Sequence, residues 1–120
     1  MKIFIICPIR LGAEEGIDDY IKELEDGGHQ VYYPPRDTNQ EDAETGGYRI
    51  CDNNLSGIEW ADEVHVWYRG DSQGTHFDLG MAFALGKKIM IVRDKAEEDE
   101  CELWEEWKKI SNHYNKDIKK

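Results

Sequence analysis

Cysteine is scarce in this sequence and occurs in no recognisable pair. The three cysteines, Cys7, Cys51 and Cys101, are widely separated, and no CxxC spacing occurs. This pattern supports neither a zinc knuckle nor a dithiol redox site, and it is typical of reduced thiols in a reducing compartment. No pair of His, Asp or Glu has metal-ligand spacing, so no metal is expected.

Long apolar runs are also lacking. The longest spans residues 3–7 at the start of the chain, and it is far shorter than a transmembrane helix or the apolar region of a signal peptide. We therefore expect no membrane partner and predict a cytoplasmic location.

Positive charge is in short supply. Lysine and arginine number 15 against 26 acidic residues, which leaves a net charge of −11. The mean field of such a chain repels nucleic-acid backbones and anionic membranes. No nucleic-acid partner is expected, and a small anionic ligand would need a locally basic pocket.

What the sequence has is enough apolar material for one core. Its 120 residues are 39% hydrophobic and 11% aromatic, which excludes a disordered chain and predicts a single domain over 1–120. The basic tail 115–120 is predicted to be frayed.

Apolar patterns of strand and helix alternate along the chain. Strands are predicted at 2–7, 29–33, 62–68 and 88–92, and helices at 14–26, 47–61, 76–85 and from about 103 onward. This order predicts an α/β fold, a Rossmann- or flavodoxin-like parallel sheet of four or five strands with flanking helices. Residues 34–46 lack periodicity and are predicted as a surface loop. Within 47–61, Cys51, Leu55 and Ile58 are predicted to face the core.

Two segments follow strands at the carboxyl edge of the predicted sheet, where such folds bind ligands. In segment 69–78 a glycine-bearing turn leads into a helix, which makes an anion site to which Ser72, Thr75 and His76 add donors. Asp78 is expected in the first helical turn, facing the cleft. The alternative is structural: Ser72 or Thr75 caps the helix, and the helix dipole favours Asp78.

The other segment is Cys7-Pro8-Ile9-Arg10. Arg10 could grip a phosphate with two hydrogen bonds, or it could be an exposed arginine without a role. Cys7 is interpreted as a small buried side chain rather than a nucleophile. Asn54 precedes the predicted core position Leu55, so its side chain either reaches the strand ends or faces water. Of the four histidines, only His76 lies in a candidate site.

These segments, in this order, resemble the nucleoside 2-deoxyribosyltransferase-like superfamily over about residues 2–92. The resemblance is carried by three motifs: Ser72-x-Gly74-Thr75-His76-x-Asp78-x-Gly80, Asn54-Leu55-x-x-Ile58-x-x-Ala61-Asp62, and Pro8-Ile9-Arg10. The Gly-Thr-His and Pro-x-Arg details look most like the branch of nucleoside 5′-monophosphate N-glycosidases and cytidylate hydrolases.

The resemblance implies a role for each matched position. Asp78 would be the nucleophile that attacks the anomeric carbon, and Asn54 would contact the sugar or the base. No cofactor is implied, because the carboxylate does the covalent work. The implied partners are a small nucleotide or nucleoside and further copies of the chain, as a dimer or larger homo-oligomer. Substrate contacts are implied for Phe4, Cys7, Pro8, Ile9, Arg10, Ser72, Gly74, Thr75 and His76.

Three positions depart from the family pattern. Most members have Glu where this chain has Asp78, and many have Asp at position 54 and Tyr at position 4. The activity implied is hydrolysis of the N-glycosidic bond of a nucleoside 5′-monophosphate to free base and sugar 5-phosphate. Two alternatives stay open: a transferase that exchanges bases between deoxynucleosides, and a catalytically silent nucleotide-binding module, which the departures favour.

Overall fold

The protein forms a four-stranded sheet with helices on both faces. The computed structural model describes residues 1–8, 16–69 and 73–94. Its elements are β1 (Lys2–Ile6), α1 (Ile17–Asp26), β2 (Gln30–Tyr32), α2 (Pro34–Asp37), α3 (Tyr48–Trp60), β3 (Glu63–Tyr68), α4 (Gln73–Ala84) and β4 (Lys88–Asp94). The helix predicted from about 103 and the predicted tail 115–120 lie outside the described residues, and the single domain over 1–120 stays a prediction. No helix in the described ranges is long and apolar enough to cross a bilayer.

The strand order is β2-β1-β3-β4, and every neighbouring pair is parallel. On β1, Phe4 pairs with Tyr32 on one side and with Val64 on the other. The predicted α/β parallel sheet is confirmed, with four strands. Its order reverses between β1 and β3, and ligands of open parallel sheets bind outside the carboxyl ends of the strands at such a point.

The sheet separates two apolar cores. Alternate strand residues point to opposite faces, and both faces are covered, as the continuous apolar pattern of β1 predicts. One core joins Phe4, Ile6, Val64, Val66 and Tyr68 to side chains of α3 and α4, among them Ile58, Leu79 and Ala82. The other joins Ile3, Ile5, Val31 and Trp67 to Ile17 and Ile21 of α1.

A polar network crosses the face of the sheet that α1 covers. The buried His65 meets the Tyr20 hydroxyl at 2.5 Å through Nδ1 and Glu63 Oε1 at 3.0 Å through Nε2. Lys88 donates to the other carboxylate oxygen of Glu63 at 2.9 Å. These contacts connect α1 to β3 and β4, and they give the strand histidine a structural role.

The predicted loop 34–46 contains a short helix, α2, which is a correction. Pro34 and Pro35 occupy its first two positions, where proline is favoured because its missing N–H would have no helical partner. Asp37 accepts a hydrogen bond from the backbone N–H of Tyr33, just before the helix, at 2.8 Å. The prolines therefore end β2 and begin a helical turn.

The helix predicted at 76–85 begins at Gln73 instead. Gly74, Thr75 and His76 lie in its first turn rather than in a loop, and Asp78 lies in the second turn rather than the first. Glycine, threonine and histidine are weak helix formers, so local propensity gave no sign of the earlier start. The result is a deeper position for Asp78 than the sequence predicts.

The predicted core face of α3 is confirmed at Ile58 and wrong at Cys51 and Leu55. Asn54, Gly57 and Ile58 are buried, whereas Cys51 and Leu55 are only partly covered. The reason is close packing at Gly57, which has no side chain to hold α3 away from the sheet. This packing places the Asn54 amide against the interior.

Candidate active site

The centre of the candidate site is the carboxyl group of Asp78, in the second turn of α4. The helix follows β3, so Asp78 lies toward the carboxyl edge of the sheet. The residue is 7% exposed. Burial raises the pKa of Asp78 to about 7, and a hydrogen bond from the Asn54 side chain opposes part of that rise. The group therefore exchanges its proton near neutral pH and is not permanently charged.

Asn54 of α3 is the hydrogen-bond partner of Asp78. It is 4% exposed, and its Oδ1 accepts a hydrogen bond from the Thr38 hydroxyl at 3.1 Å. With the amide oxygen used in this way, the NH₂ group is the part of Asn54 that donates to Asp78. A donor to the carboxylate favours its charged form.

Close packing of α3 against β1 places Asn54. A Cβ atom at Gly57 would lie 2.8 Å from Cε2 of Phe4 and 3.3 Å from Cδ1 of Tyr32. Those two rings stack, with centroids 5.3 Å apart and planes within 13° of parallel. Gly57 follows Asn54 by three residues on the same helix, so the contact sets how near the amide comes to the strand ends.

The first turn of α4 and the end of β3 form the other wall. The Tyr68 hydroxyl and Nε2 of His76 are 2.8 Å apart, and the two rings meet edge to face at 5.4 Å. Thr75 is fully buried, whereas Gly74 is exposed. The first four backbone N–H groups of an α-helix have no partner inside the helix, so this turn can receive an anion.

The remaining predicted site residues are placed differently. Phe4 is fully buried and lies against Gly57 of α3, one turn from Asn54. Pro8 is buried just after β1, and Cys7 packs with Tyr33 and Trp67 on the α1 side of the sheet, away from Asp78. Ile9, Arg10 and Ser72 lie outside the described residues. The substrate contacts expected of these side chains stay predictions.

Three residues near the site escaped the sequence analysis. Tyr32 and Tyr68 read as strand residues, and Thr38 fell in the predicted loop. The available signal for the tyrosines was that each one is the last residue of its strand, Tyr32 of β2 and Tyr68 of β3. Nothing in the sequence marked Thr38, because its partner Asn54 is 16 residues away.

Among the described residues, no three His, Cys, Asp or Glu side chains are grouped to hold a metal.

A family model, nucleoside 2-deoxyribosyltransferase, matches residues 9–113. The chain belongs to this family. The superfamily resemblance carried by the three motifs is thereby confirmed. Members of the family are enzymes that act on nucleosides or nucleotides.

The solved structures that are similar to this member of the family include two enzymes. One is a 2-deoxyribosyltransferase from the psychrotolerant bacterium Bacillus psychrosaccharolyticus, at 30% identity, with 76% of this chain and 71% of that chain covered and a TM-score of 0.58. The other is the CMP N-glycosidase BcmB of Clostridium botulinum, at 22% identity, covering 93% and 84%, with a TM-score of 0.66. The similarity to the second structure shows that the two proteins share a fold. No curated protein sequence matches the chain.

Proposed function

We propose that the protein hydrolyses the N-glycosidic bond of a nucleoside 5′-monophosphate, with Asp78 as the nucleophile. The observation that carries the proposal is a buried carboxyl group, hydrogen-bonded by Asn54, at the ligand-binding edge of the sheet. A carboxyl group without a role in chemistry is rarely buried without a charged partner. Among the described residues, burial and the Asn54 hydrogen bond are what act on its pKa.

The reaction follows the two-step logic of retaining glycosidases. A carboxylate oxygen of Asp78 attacks C1′ of the sugar, and the bond between C1′ and the base nitrogen breaks, with its electron pair leaving on the base. Water then attacks C1′ of the glycosyl ester and returns the carboxylate. The proton that the base takes up is balanced by the one that the water gives up.

The neighbours of Asp78 suit this chemistry. A carboxylate removed from water has lost part of its hydration shell, and the Asn54 NH₂ group keeps it oriented. The first turn of α4, at Gly74 and Thr75, is suited to the 5′-phosphate, with Arg10 and Ser72 as the further phosphate contacts that the family resemblance implies. Asn54 would also contact the sugar or the base.

The test incubates the protein with ribo- and deoxyribonucleoside 5′-monophosphates and measures the release of free base by chromatography. The unphosphorylated nucleosides serve as a comparison set. We expect release from at least one monophosphate, and a loss of at least about a thousandfold in Asp78→Ala and Asp78→Asn, because nucleophilic catalysis ends without the carboxylate. Asp19→Asn makes the same chemical change at an exposed position of α1 and should keep full activity.

Two results would contradict the proposal. Equal base release by the wild type and Asp78→Ala would show that Asp78 is not the nucleophile. A nucleotide that raises the melting temperature without any base release would assign the chain to the silent binding modules instead.

Base exchange is the second candidate, because the 30%-identical relative is a 2-deoxyribosyltransferase. The first step is the same, and a free base instead of water attacks C1′ of the glycosyl ester. Adding a second, labelled base to the reaction distinguishes the two. Exchange that outpaces hydrolysis assigns the transferase, and hydrolysis that is unaffected by the added base assigns the N-glycosidase.

A further inference from the structure

Two hydroxyl groups behind the site form a chain that ends on Asn54. The Tyr32 hydroxyl lies 2.5 Å from Oγ1 of Thr38, and Thr38 donates to Oδ1 of Asn54 at 3.1 Å. Thr38 is 5% exposed and Asn54 is 4% exposed. The chain is therefore largely shielded from water, which could otherwise replace its hydrogen bonds.

The direction of these hydrogen bonds follows from counting protons. An amide oxygen only accepts, so the single hydroxyl proton of Thr38 points to Asn54. The Tyr32 hydroxyl must then donate to Thr38, because Thr38 has no second proton to give. A flipped Asn54 would direct its NH₂ group at Thr38 and its oxygen at Asp78, which breaks the hydrogen bond to the carboxylate.

Both hydroxyl groups are held by structure that does not depend on substrate. Thr38 follows α2 directly, and its backbone N–H donates to the Pro34 carbonyl at 3.0 Å. The Gln40 side chain closes the same turn by donating to the carbonyls of Pro34 at 2.9 Å and Thr38 at 3.2 Å. Tyr32 is fixed by its stack on Phe4. The arrangement is therefore preformed.

We propose that Tyr32 and Thr38 are positioning residues whose hydroxyl groups hold the Asn54 amide with its NH₂ group toward Asp78. Neither residue acts on substrate in this assignment. Their catalytic consequence rests on the proposed function, whereas their effect on the Asp78 carboxyl group does not. The two can therefore be tested separately.

The first test needs no substrate. The carboxyl carbon of Asp78 is titrated by carbon-13 NMR in the wild type, Thr38→Val, Thr38→Ser and Tyr32→Phe. Without the Thr38 hydroxyl the amide is free to turn its oxygen to Asp78, and an acceptor facing a carboxyl group favours the protonated form. We expect the pKa of Asp78 to rise in Thr38→Val, to rise less in Tyr32→Phe, and to return toward the wild-type value in Thr38→Ser.

The matched control is Tyr48→Phe, which removes a hydroxyl from α3 where the side chain is 73% exposed. It should leave the Asp78 titration unchanged. An Asp78 titration that is the same in the wild type, Tyr32→Phe and Thr38→Ser, and in Thr38→Val where that variant folds, would overturn the proposal. If Thr38→Val does not fold, the decision falls to Tyr32→Phe: a raised pKa supports the proposal and an unchanged one overturns it.

The second test is the pH profile of base release. A rise of one unit in the pKa of Asp78 lowers the ionised fraction at pH 7 about fivefold, so a rise of that size in Thr38→Val should lower kcat/KM about fivefold at pH 7, with recovery at high pH. A merely structural role would lower activity at every pH alike. If no variant or wild type releases base, the proposed function fails while the NMR result still decides the positioning role.

Discussion

Asp78 carries an acidic group where little water reaches it, and ionising that group has a cost for the fold. Its pKa in the folded protein is about 7, above the ordinary value of 3.8. As pH rises, the unfolded chain therefore loses this proton first. Protonated Asp78 contributes roughly 4 kcal/mol to the free energy of unfolding. This contribution is complete below about pH 4 and is lost as pH rises through 7.

Asp78→Asn should remove this pH dependence. The variant keeps a neutral group that can accept from Asn54, so we expect it to be more stable than the wild type by a few kcal/mol at pH 8 and nearly equal to it at pH 4. Urea unfolding across that range measures the difference, with Asp19→Asn as the control. A constant difference between variant and wild type at all pH values would contradict the burial of the charge.

The same titration should govern catalysis in the opposite sense. The carboxylate is the nucleophilic form, so we expect kcat/KM for base release to rise about tenfold per pH unit below 7 and to level off above it. The profile is measured with the best monophosphate of the panel. A profile that falls between pH 6 and 8 would show that the protonated form is the active one.

The candidate nucleophile and its partner could be found from the sequence, and the residues behind them could not. Asp78 and Asn54 stand in motifs with recognisable spacing. Tyr32 and Thr38 act through hydrogen bonds between separate segments, and no periodicity or local motif records such a contact. Their positions depend on how α2 turns the chain back over the sheet.

Helix α3 comes near the sheet because one of its turns lacks a side chain. Gly57→Ala would place a Cβ 2.8 Å from the Phe4 ring, and overpacking of this kind costs about 1–3 kcal/mol. Because Asn54 lies one turn away, we also expect a shifted Asp78 titration and weaker base release. Thermal and urea unfolding measure the first effect, and carbon-13 NMR measures the second.

Gly80→Ala is the matched control for this substitution. Gly80 is exposed inside α4, and within the described residues a Cβ there meets nothing within 4 Å. Alanine is the better helix former, so this variant should be about 0.5–1 kcal/mol more stable than the wild type. Equal stability changes in the two variants would mean that the Phe4 contact has no special cost.

The elements show where reasoning from pattern reaches its limit. The strands were predicted within two residues at each end because apolar, β-branched runs are a strong signal. The buried face of α3 was predicted only in part and the start of α4 was missed, since each depends on glycine and on contacts with another element. Pro34 and Pro35 marked the end of β2 correctly, but they gave no sign of α2.

The whole chain presents a negative field to the proposed substrate, a nucleoside monophosphate. A net charge of −11 repels a nucleoside monophosphate before it reaches the site, and salt screens that repulsion. We expect kcat/KM for a monophosphate to rise about two- to threefold between 10 and 150 mM salt. Stopped-flow binding or initial rates measure the change.

An uncharged nucleoside tests this interpretation of the salt effect. Its binding, or its turnover if it reacts, should stay nearly constant over the same range of ionic strength. A fall in kcat/KM for the monophosphate would instead mean that a local positive charge at the site outweighs the field of the molecule.

The sheet divides the labour of the molecule between its two sides. The proposed chemistry lies with α3 and α4, while α1 closes the opposite core and its buried network of Tyr20, His65, Glu63 and Lys88. An engineer seeking a more heat-resistant catalyst would therefore begin under α1. Substitutions there that raise the melting temperature need not lower turnover, because the sheet lies between them and the pair Asp78 and Asn54.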